Sequence, residues 1–565
     1  MFEDRPWLSS YSQGVPADVE IPLVLLDGLL RQAAQRWPDR VAVDFFGAST
    51  TYRELDAQVD RAAAGLRQLG VTPGTRVSLV MPNCTAHIVA FYAVLRCGAA
   101  VVEHNPTYTT AELHDQLGLT GSRVVLVWRN RVADVQVAAQ DTDLQHIVSV
   151  DVARDLPRKM QLLLRLPVKA ARSKRAALTG GPVGDAKDWA DLVRTEPGGQ
   201  PSGAQEPTDE ALVLFTGGTT GVPKGASITH YNLVANATQG TAWAGFQPGA
   251  EVVCGVLPFF HAFGMIFCVV LPPLIGATLV AFPNFDPPAV VAGQKRAPYT
   301  FMPAVAPMFS RILDAAGGVS LGSIKQAFCG AMPLDAATAD RWEQATGGLL
   351  IEGYGSTETS PIVLGNPASE KRRRGALGIP FPNTEIRVVD PDDQTVEATA
   401  NEAGVVRGEL LVRGPQVFAG YVDRPEETAN VLSPDGWLRT GDVVEVDRDG
   451  FAVLVDRTKE IIIVGGFKVF PTVVEEHLRE LAGVDDVAVV GVPRGAGGDE
   501  EVVAVVVSDG QPPTLDQVRE HAAQRLAKYA VPRHLHIVEE LPRSMIGKVQ
   551  RRLVRDDVLK RNSDS

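Results

Sequence analysis

Leu212–Gly225, LVLFTGGTTGVPKG, runs from an apolar stretch into a loop that carries Gly217, Gly218, Gly221 and Gly225 together with Thr216, Thr219, Thr220 and Lys224. Glycines let backbone N–H groups converge on one anion, threonine hydroxyls add donors and a lysine adds a cation, which is phosphate-binding chemistry. The loop is not GxxxxGK[ST], because its lysine follows Pro223 and precedes Gly225. A flexible turn of small residues is the plain alternative. In YGSTE (354–358), Thr357 can donate a hydroxyl to a phosphate, and Glu358 offers the hard oxygen that Mg2+ takes between phosphates. A glutamate in a glycine-rich turn is otherwise a solvated surface residue. Asp442, after Gly441, could accept from a pair of vicinal hydroxyls with Arg457 nearby, or the two could form an ordinary ion pair. Lys548 follows Gly547 on a loop-like stretch, ahead of a cationic run that also reads as a solvated face. His261 sits among Phe259, Phe260 and Phe263, where a lone histidine by itself reads as a satisfied core residue.

These residues belong to a chain of 565, with 54 Lys+Arg, 67 Asp+Glu and a net charge of −13. Such a length supports several core-bearing units, and the acidic balance argues against a nucleic-acid partner. Cys84, Cys97, Cys254, Cys268 and Cys329 are scattered singly in apolar surroundings, the usage of reduced core thiols in a cytoplasmic protein. MFEDRPWLSS lacks the apolar run of a secretory signal. Tyr52, Leu55, Val59, Ala62, Ala63, Leu66 and Leu69 recur at steps of three and four and predict an amphipathic helix stopped at Gly70. Apolar runs at 75–81, 98–102, 123–128 and 146–150 alternate with helical stretches, one around His87–Leu95, and predict α/β layering. The polar stretch Pro391–Gly404 predicts a β-hairpin connection. Past Asp456 the pattern predicts a smaller α+β unit: a helix at 471–481, strands at 484–492 and 501–508, and a helix at 514–527. The expected boundary falls at 456–459, dividing 1–456 from 457–565.

Val252–Phe285 carries no Asp, Glu, Lys or Arg, a length that could span a bilayer. Pro258, Pro272, Pro273 and Pro283 interrupt it, so it predicts a loop, a buried helix at about Phe263–Leu271, and a buried strand. Arg154–Arg175 holds eight cations against Asp155 alone, interleaved with Leu162, Leu163, Leu164, Leu166 and Val168. It reads either as a solvated helix or as a surface that meets anionic lipid.

FTGGTTGVPKG resembles the phosphate-binding loop of the acyl-adenylate-forming superfamily, the AMP-binding enzymes, which includes acyl-CoA synthetases, coumarate-CoA ligases, luciferases and peptide-synthetase adenylation domains. Further segments match in that family's order: PFFHAFG (258–264), FCGAMPL (328–334), YGSTETSP (354–361), GWLRTGD (436–442), DRTKEIIIVGGFKVFP (456–471) and PRSMIGKVQRR (542–552), with MPNC (81–84) and NPTYT (105–109) upstream. The likeness covers about residues 25–560. It implies an α/β fold with a large multi-lobed N-terminal domain, a β-barrel-like part, and a small mobile α+β C-terminal domain.

By the same resemblance, Thr216, Gly217, Gly218, Thr219, Thr220 and Lys224 hold ATP phosphates. Gly330, Ala331, Met332, Tyr354 and Gly355 meet the nucleotide, Thr357 the α-phosphate, Glu358 the metal, and Asp442 with Arg457 the ribose. Lys548 is the adenylation lysine and Lys459 the hinge. Gly465 and Gly466 lie where coenzyme A's pantetheine arm passes, and Lys468 fills a place where several relatives carry glutamine. His261 lies near the carboxylate and triphosphate, and Phe263, Gly264, Met302 and Val305 line the acyl pocket. The implied reaction joins a carboxylic acid to coenzyme A through an acyl-adenylate, with ATP and Mg2+. Gly217, giving TGGTTG, and the basic insert at 154–175 resemble long- and medium-chain fatty acyl-CoA synthetases. The chain as a whole is most similar to bacterial long-chain fatty acid–CoA ligases, so a long-chain fatty acid is the expected substrate. The expected setting is the cytoplasm, with peripheral contact at the inner membrane face through Arg158–Arg175 and room for a homodimer. A medium-chain or aryl acid–CoA ligase, an adenylate donor to a carrier protein, a fatty-acid transporter and a non-catalytic nucleotide-binding module are the alternatives.

Overall fold

The computed structural model describes residues 2, 4–198, 205–216, 224–391, 393, 395–457, 460–464, 467–494, 500–544 and 547–563. The chain divides into two compact units, one of Trp7–Glu385 with Arg413–Leu438, the other of Met1–Pro6, Ile386–Val412 and Arg439–Ser565. The boundary expected at 456–459 lies inside the second unit.

The larger unit holds two mixed sheets. One has eight strands, in the order Gly420–Tyr421, Lys224–Thr229, Glu210–Thr216, Ala100–His104, Arg76–Val80, Val124–Trp128, His146–Val150 and Lys187–Asp188. Its interior pairs are parallel, and its antiparallel pairs lie at the Lys224–Thr229 end. Runs such as VVLVW suit parallel strands, which are buried on both faces because helical crossovers cover them. The other sheet has nine strands and runs from Ile379–Pro380 through Ile362–Gly365, Leu349–Gly355, Gln326–Cys329, Phe301–Ala304, Val252–Gly255, Thr278–Ala281 and Val41–Phe45 to Ala48–Thr51.

The predicted helix forms over Tyr52–Gln68. Thr51 Oγ1 accepts the Glu54 N–H at 3.3 Å, and Glu54 Oε2 accepts the Thr51 N–H at 2.8 Å, a reciprocal cap on its first turn. Leu55, Val59, Ala62 and Leu66 are buried as the spacing requires. Helix Thr85–Arg96 follows, and its Arg96 is buried among Asp27, Asp56 and Asp60 at 2.7, 2.6 and 2.9 Å.

The charge-free stretch is a strand at Val252–Gly255, a helical turn at Ala262–Gly264, a π-helical segment at Met265–Val270, a helix at Leu271–Ile275 and a strand at Thr278–Ala281. Pro272 and Pro273 fall where the π-helical segment passes into this last helix, and neither can donate an N–H back to it. Among the described residues no helix is long and apolar enough to cross a membrane.

In the second unit the expected barrel-like part is an open sheet of four strands, Glu385–Val389, Val406–Arg413, Leu438–Val446 and Ala452–Arg457. Four strands are too few to close around a core of side chains. The Pro391–Gly404 stretch joins the first two, with isolated bridges Val389–Glu397 and Ala400–Val406. Further on, strand Asp486–Pro493 alternates as a two-sided strand must. Val487 and Val489 face a core with Val474, Leu478 and Val518, whereas Ala488, Val490 and Val492 face Val554 and Val558 of helix Arg551–Ser563. The helix expected at 514–527 ends at Ala523.

Candidate functional site

The glycine-rich segment joins two antiparallel strands, with Thr216 opposite Lys224. Gly217, Gly218, Thr219 and Thr220 lie outside the described residues. The chain leaves the loop into strand Lys224–Thr229, not into a helix, which separates this arrangement from a strand–loop–helix phosphate loop. The Lys224 ammonium lies 5.1 Å from the centroid of the Tyr421 ring. The Tyr421 hydroxyl donates to Glu358 Oε1 at 2.7 Å, and the Phe418 N–H donates to the Glu358 carbonyl at 2.9 Å. Burial first, then the Glu358 carboxylate, pushes the Tyr421 hydroxyl well up, so it remains a proton donor. One tyrosine thus brings together the cation of the loop and the acid of YGSTE.

The YGSTE turn is tightly packed. A Cβ on Gly355 would lie 1.7 Å from the Pro361 carbonyl oxygen, so no larger residue fits there. Thr357 begins a short 3₁₀ turn, Thr357–Thr359, whose Ser356 N–H is held by Thr359 Oγ1 at 2.9 Å. Buried Asn236, from helix His230–Ala244, donates to the Ile362 carbonyl at 2.8 Å and accepts the Ile362 N–H at 3.2 Å. Asn232 of the same helix donates to the Pro415 and Val417 carbonyls at 2.8 Å, which fixes the approach to Phe418 and Tyr421. Tyr354 is half-buried at the end of strand Leu349–Gly355, paired opposite Leu364. Gly330 follows strand Gln326–Cys329, and Ala331 takes a left-handed φ of +66° before Met332.

His261 begins the turn of PFFHAFG, and its Nδ1 accepts the Phe263 N–H at 3.3 Å. Desolvation lowers its pKa to about 4, so the ring is neutral at physiological pH. Asn83 of MPNC positions this segment, donating to the Gly255 and Leu257 carbonyls at 3.4 and 2.7 Å and accepting the Phe259 N–H at 2.9 Å. Gly264 is required, because a Cβ there would meet the Pro258 oxygen at 2.0 Å. Phe263 packs on Phe267 at 5.4 Å, Phe267 on Phe301 and Phe328, and a Cβ on Gly330 would touch Phe263 at 3.3 Å. This aromatic wall joins PFFHAFG to FCGAMPL. Met302 alternates onto the other face of its strand, in a buried cluster with Ala304, Ala327 and Cys329, away from Phe301 and Phe328. Val305 is buried as the cap residue before helix Ala306–Ala315.

In the second unit, Asp442 is buried in strand Leu438–Val446, in register opposite Arg457. Its segment is held by Glu409, whose side chain is wholly buried and accepts from Arg439 at 3.0 Å and from the Gly441 N–H at 3.3 Å. Lys548 closes a turn in which the Ser544 N–H donates to its carbonyl at 2.8 Å and its own N–H donates to Ser544 Oγ at 3.2 Å. Lys468 pairs by backbone with Ile463, whereas Lys459, Gly465 and Gly466 lie outside the described residues. Tyr421, Asn83, Asn236 and Glu409 escape a sequence reading. Only the asparagine of MPNC lies inside a motif that such a reading marks.

The fold and these motifs define a nucleotide-dependent ligase class, and the comparisons agree. The chain belongs to the AMP-binding enzyme family, which matches residues 30–422, with the AMP-binding enzyme C-terminal domain matching residues 473–548. It is 36% identical over 572 residues to the long-chain-fatty-acid–CoA ligase of Salmonella typhimurium, covering 98% of each chain. It is 32% identical over 562 residues to the ligase of that name from Bacillus subtilis, again covering 98% of each. Among solved structures, ATP-bound MatB from Rhodopseudomonas palustris superposes with a TM-score of 0.80 at 26% identity, over 94% of this chain and 99% of that one.

Proposed function

We propose that this chain is an AMP-forming fatty acid–CoA ligase acting on long-chain acids. The observation that carries the reading is the Lys224–Tyr421–Glu358 convergence, which places a cation and a hard carboxylate oxygen together beside the phosphate-loop hairpin. The relatives named long-chain-fatty-acid–CoA ligase support the substrate class over nearly the whole chain. In the first half-reaction a carboxylate oxygen of the acid bonds to the α-phosphorus of ATP and the bond to pyrophosphate breaks. In the second, the coenzyme A thiol loses its proton, its sulfur bonds to the acyl carbon, and AMP leaves. No protein nucleophile is needed, so positioning and charge neutralisation supply the catalysis.

Residue roles follow from that proposal. Thr216 to Thr220 and Lys224 hold the triphosphate, Thr357 donates to the α-phosphate, and Asp442 and Arg457 hold the ribose. Tyr354, with Gly330 to Met332, takes the base. Glu358 fits a Mg2+ ligand, because its half-buried carboxylate keeps Oε2 without a side-chain partner among the described residues while Tyr421 takes Oε1. Bound there, Mg2+ would neutralise phosphate charge. Neutral His261 orients the acid, the Phe263–Phe267–Phe328 wall meets its chain, and Lys548 stabilises charge in adenylation. The portion after 456 is proposed to turn at Lys459 between half-reactions, with Gly465, Gly466 and Lys468 near the pantetheine arm.

The acid is proposed to come from a membrane. Helices Arg158–Leu164 and Lys169–Thr179 bury none of their residues, and Leu162, Leu163, Leu166 and Val168 are exposed between the cations. Aliphatic and cationic groups on one surface suit an anionic bilayer. Flotation with vesicles rich in anionic lipid is expected to carry the wild type and to leave behind a variant with the cations of 158–175 replaced by glutamine. Equal flotation would remove the proposal.

Incubation with ATP, Mg2+, coenzyme A and a panel of long-chain, medium-chain and aryl acids, read by mass spectrometry, tests the reaction itself. Long-chain thioesters are expected to dominate, and aryl thioesters alone would replace the reading by an aryl acid ligase. Tyr421→Phe keeps the ring under Lys224 but removes the donor to Glu358. A hydrogen bond to a charged group is worth about 1.5–3 kcal/mol. Activity is therefore expected to fall about tenfold or more at limiting Mg2+ and to recover in part at high Mg2+. An unchanged Mg2+ dependence in initial rates would count against this role.

A further inference from the structure

The helical layer of the C-terminal region holds a cluster that the proposed reaction does not use. His477 lies in helix Pro471–Leu478, Glu480 just after its end, and His521 in helix Leu515–Ala523. One ligand atom from each lies within 4.8 Å of the other two. The two imidazoles stack with centroids 4.8 Å apart and planes inclined by 25°.

Two further features point to a ligand. His477 is only 7% exposed, and its buried Nε2 meets no hydrogen-bond partner among the described residues. Buried polar atoms normally find a partner, whether protein, ordered water or an ion. His521 Nε2 lies 2.9 Å from the His477 carbonyl, the contact to a backbone oxygen by which metal-bound imidazoles are oriented and held in one tautomer. Glu480 pairs with Arg525 at 3.1 Å, but both side chains are more than half exposed, so this partner is readily exchanged.

We propose that His477, Glu480 and His521 form a binding site for a borderline transition-metal dication of the Zn2+ type, which staples helix Pro471–Leu478 to helix Leu515–Ala523. Two imidazoles and one carboxylate suit Zn2+, Co2+ or Ni2+, whereas Mg2+ and Ca2+ favour all-oxygen sets. Arg525 is the charged neighbour that opposes the ion, since its guanidinium must release Glu480 as the metal enters. The site is independent of the nucleotide chemistry proposed above.

The test uses full-length protein, freed of metal by chelator and without nucleotide, titrated with Zn2+ by calorimetry and with Co2+ by visible absorbance. One ion per chain is expected, with a rise in melting temperature as binding to the folded state requires. His521→Ala is expected to weaken binding by at least about 100-fold, given that loss of even an outer partner costs about 10–100-fold. Glu480→Gln, at an exposed position, weakens it without threatening the fold, and Arg525→Met strengthens it by removing the competing cation. Zn2+ affinity that is the same in the wild type, His521→Ala and Glu480→Gln would overturn the proposal, as would no binding by the wild type at about 100 μM Zn2+.

Discussion

Lys548→Ala is expected to slow ATP–pyrophosphate exchange by about 10²–10³-fold, the loss typical when one preorganised donor to a developing anion is removed. The turn that carries Lys548 is held by other groups. The Lys548 turn is closed by backbone groups and by Ser544: the Ser544 N–H donates to the Lys548 carbonyl at 2.8 Å, and the Gly547 N–H to the Ser544 carbonyl at 2.8 Å. Gly547, at φ +83°, supplies the left-handed corner, and Arg543 donates to its carbonyl at 2.6 Å. None of these bonds uses the Lys548 ammonium. Two measurements separate a chemical role from damage. Binding of ATP should persist in the variant, and thioester formation from supplied acyl-adenylate should stay within a few-fold of wild type. Parallel loss of exchange and of adenylate-to-thioester conversion would show that Lys548 serves the unit as a whole.

The largest stability effect is expected at Arg96→Met, about 3–5 kcal/mol, the cost of removing one partner from a buried ionic cluster. Arg96 is 3% exposed at the C-terminal end of helix Thr85–Arg96. It binds Asp27 of helix Leu26–Arg36 and Asp56 and Asp60 of helix Tyr52–Gln68, at 2.7, 2.6 and 2.9 Å. Desolvation opposes the guanidinium's charge, but the carboxylates outweigh it and its pKa is raised. Without the cation, three carboxylates face one another between these helices, with Arg31 the remaining cation paired to Asp27 and Asp60 among the described residues. Thermal inactivation should therefore move to a lower temperature, and more so than for Arg53→Met, whose bond to Asp39 is exposed. Equal shifts for the two variants would mean that the cluster is solvated.

Much of the fold was legible because its signals are local. The 52–69 pattern gave its helix to within a residue, and the apolar runs at 75–81 and 123–128 became neighbouring parallel strands. Each sits where periodicity and burial agree. The site was legible where residues are adjacent in sequence and illegible where sheets fold distant ones together. Tyr421 lies in a two-residue strand, 63 positions from Glu358, with no periodic signal of its own. Met302 and Phe301 show the finer limit. Both are apolar neighbours, and only the pleat decides which one joins the aromatic wall. The expected barrel and the 263–271 helix turned on pairing and on a π-helical segment, which hydrophobicity alone does not encode.

The hairpin that carries the glycine-rich loop gives the loop's length an electrostatic meaning. Thr216 faces Lys224 across the ladder, and alternate residues of a strand point to opposite faces. A one-residue slip of that register would turn the Lys224 cation away from Tyr421 and Glu358. Spacing here sets the sign of the local field. A family member could therefore keep every glycine and threonine of this loop and still lose the pairing of cation and carboxylate through a single slip of the ladder.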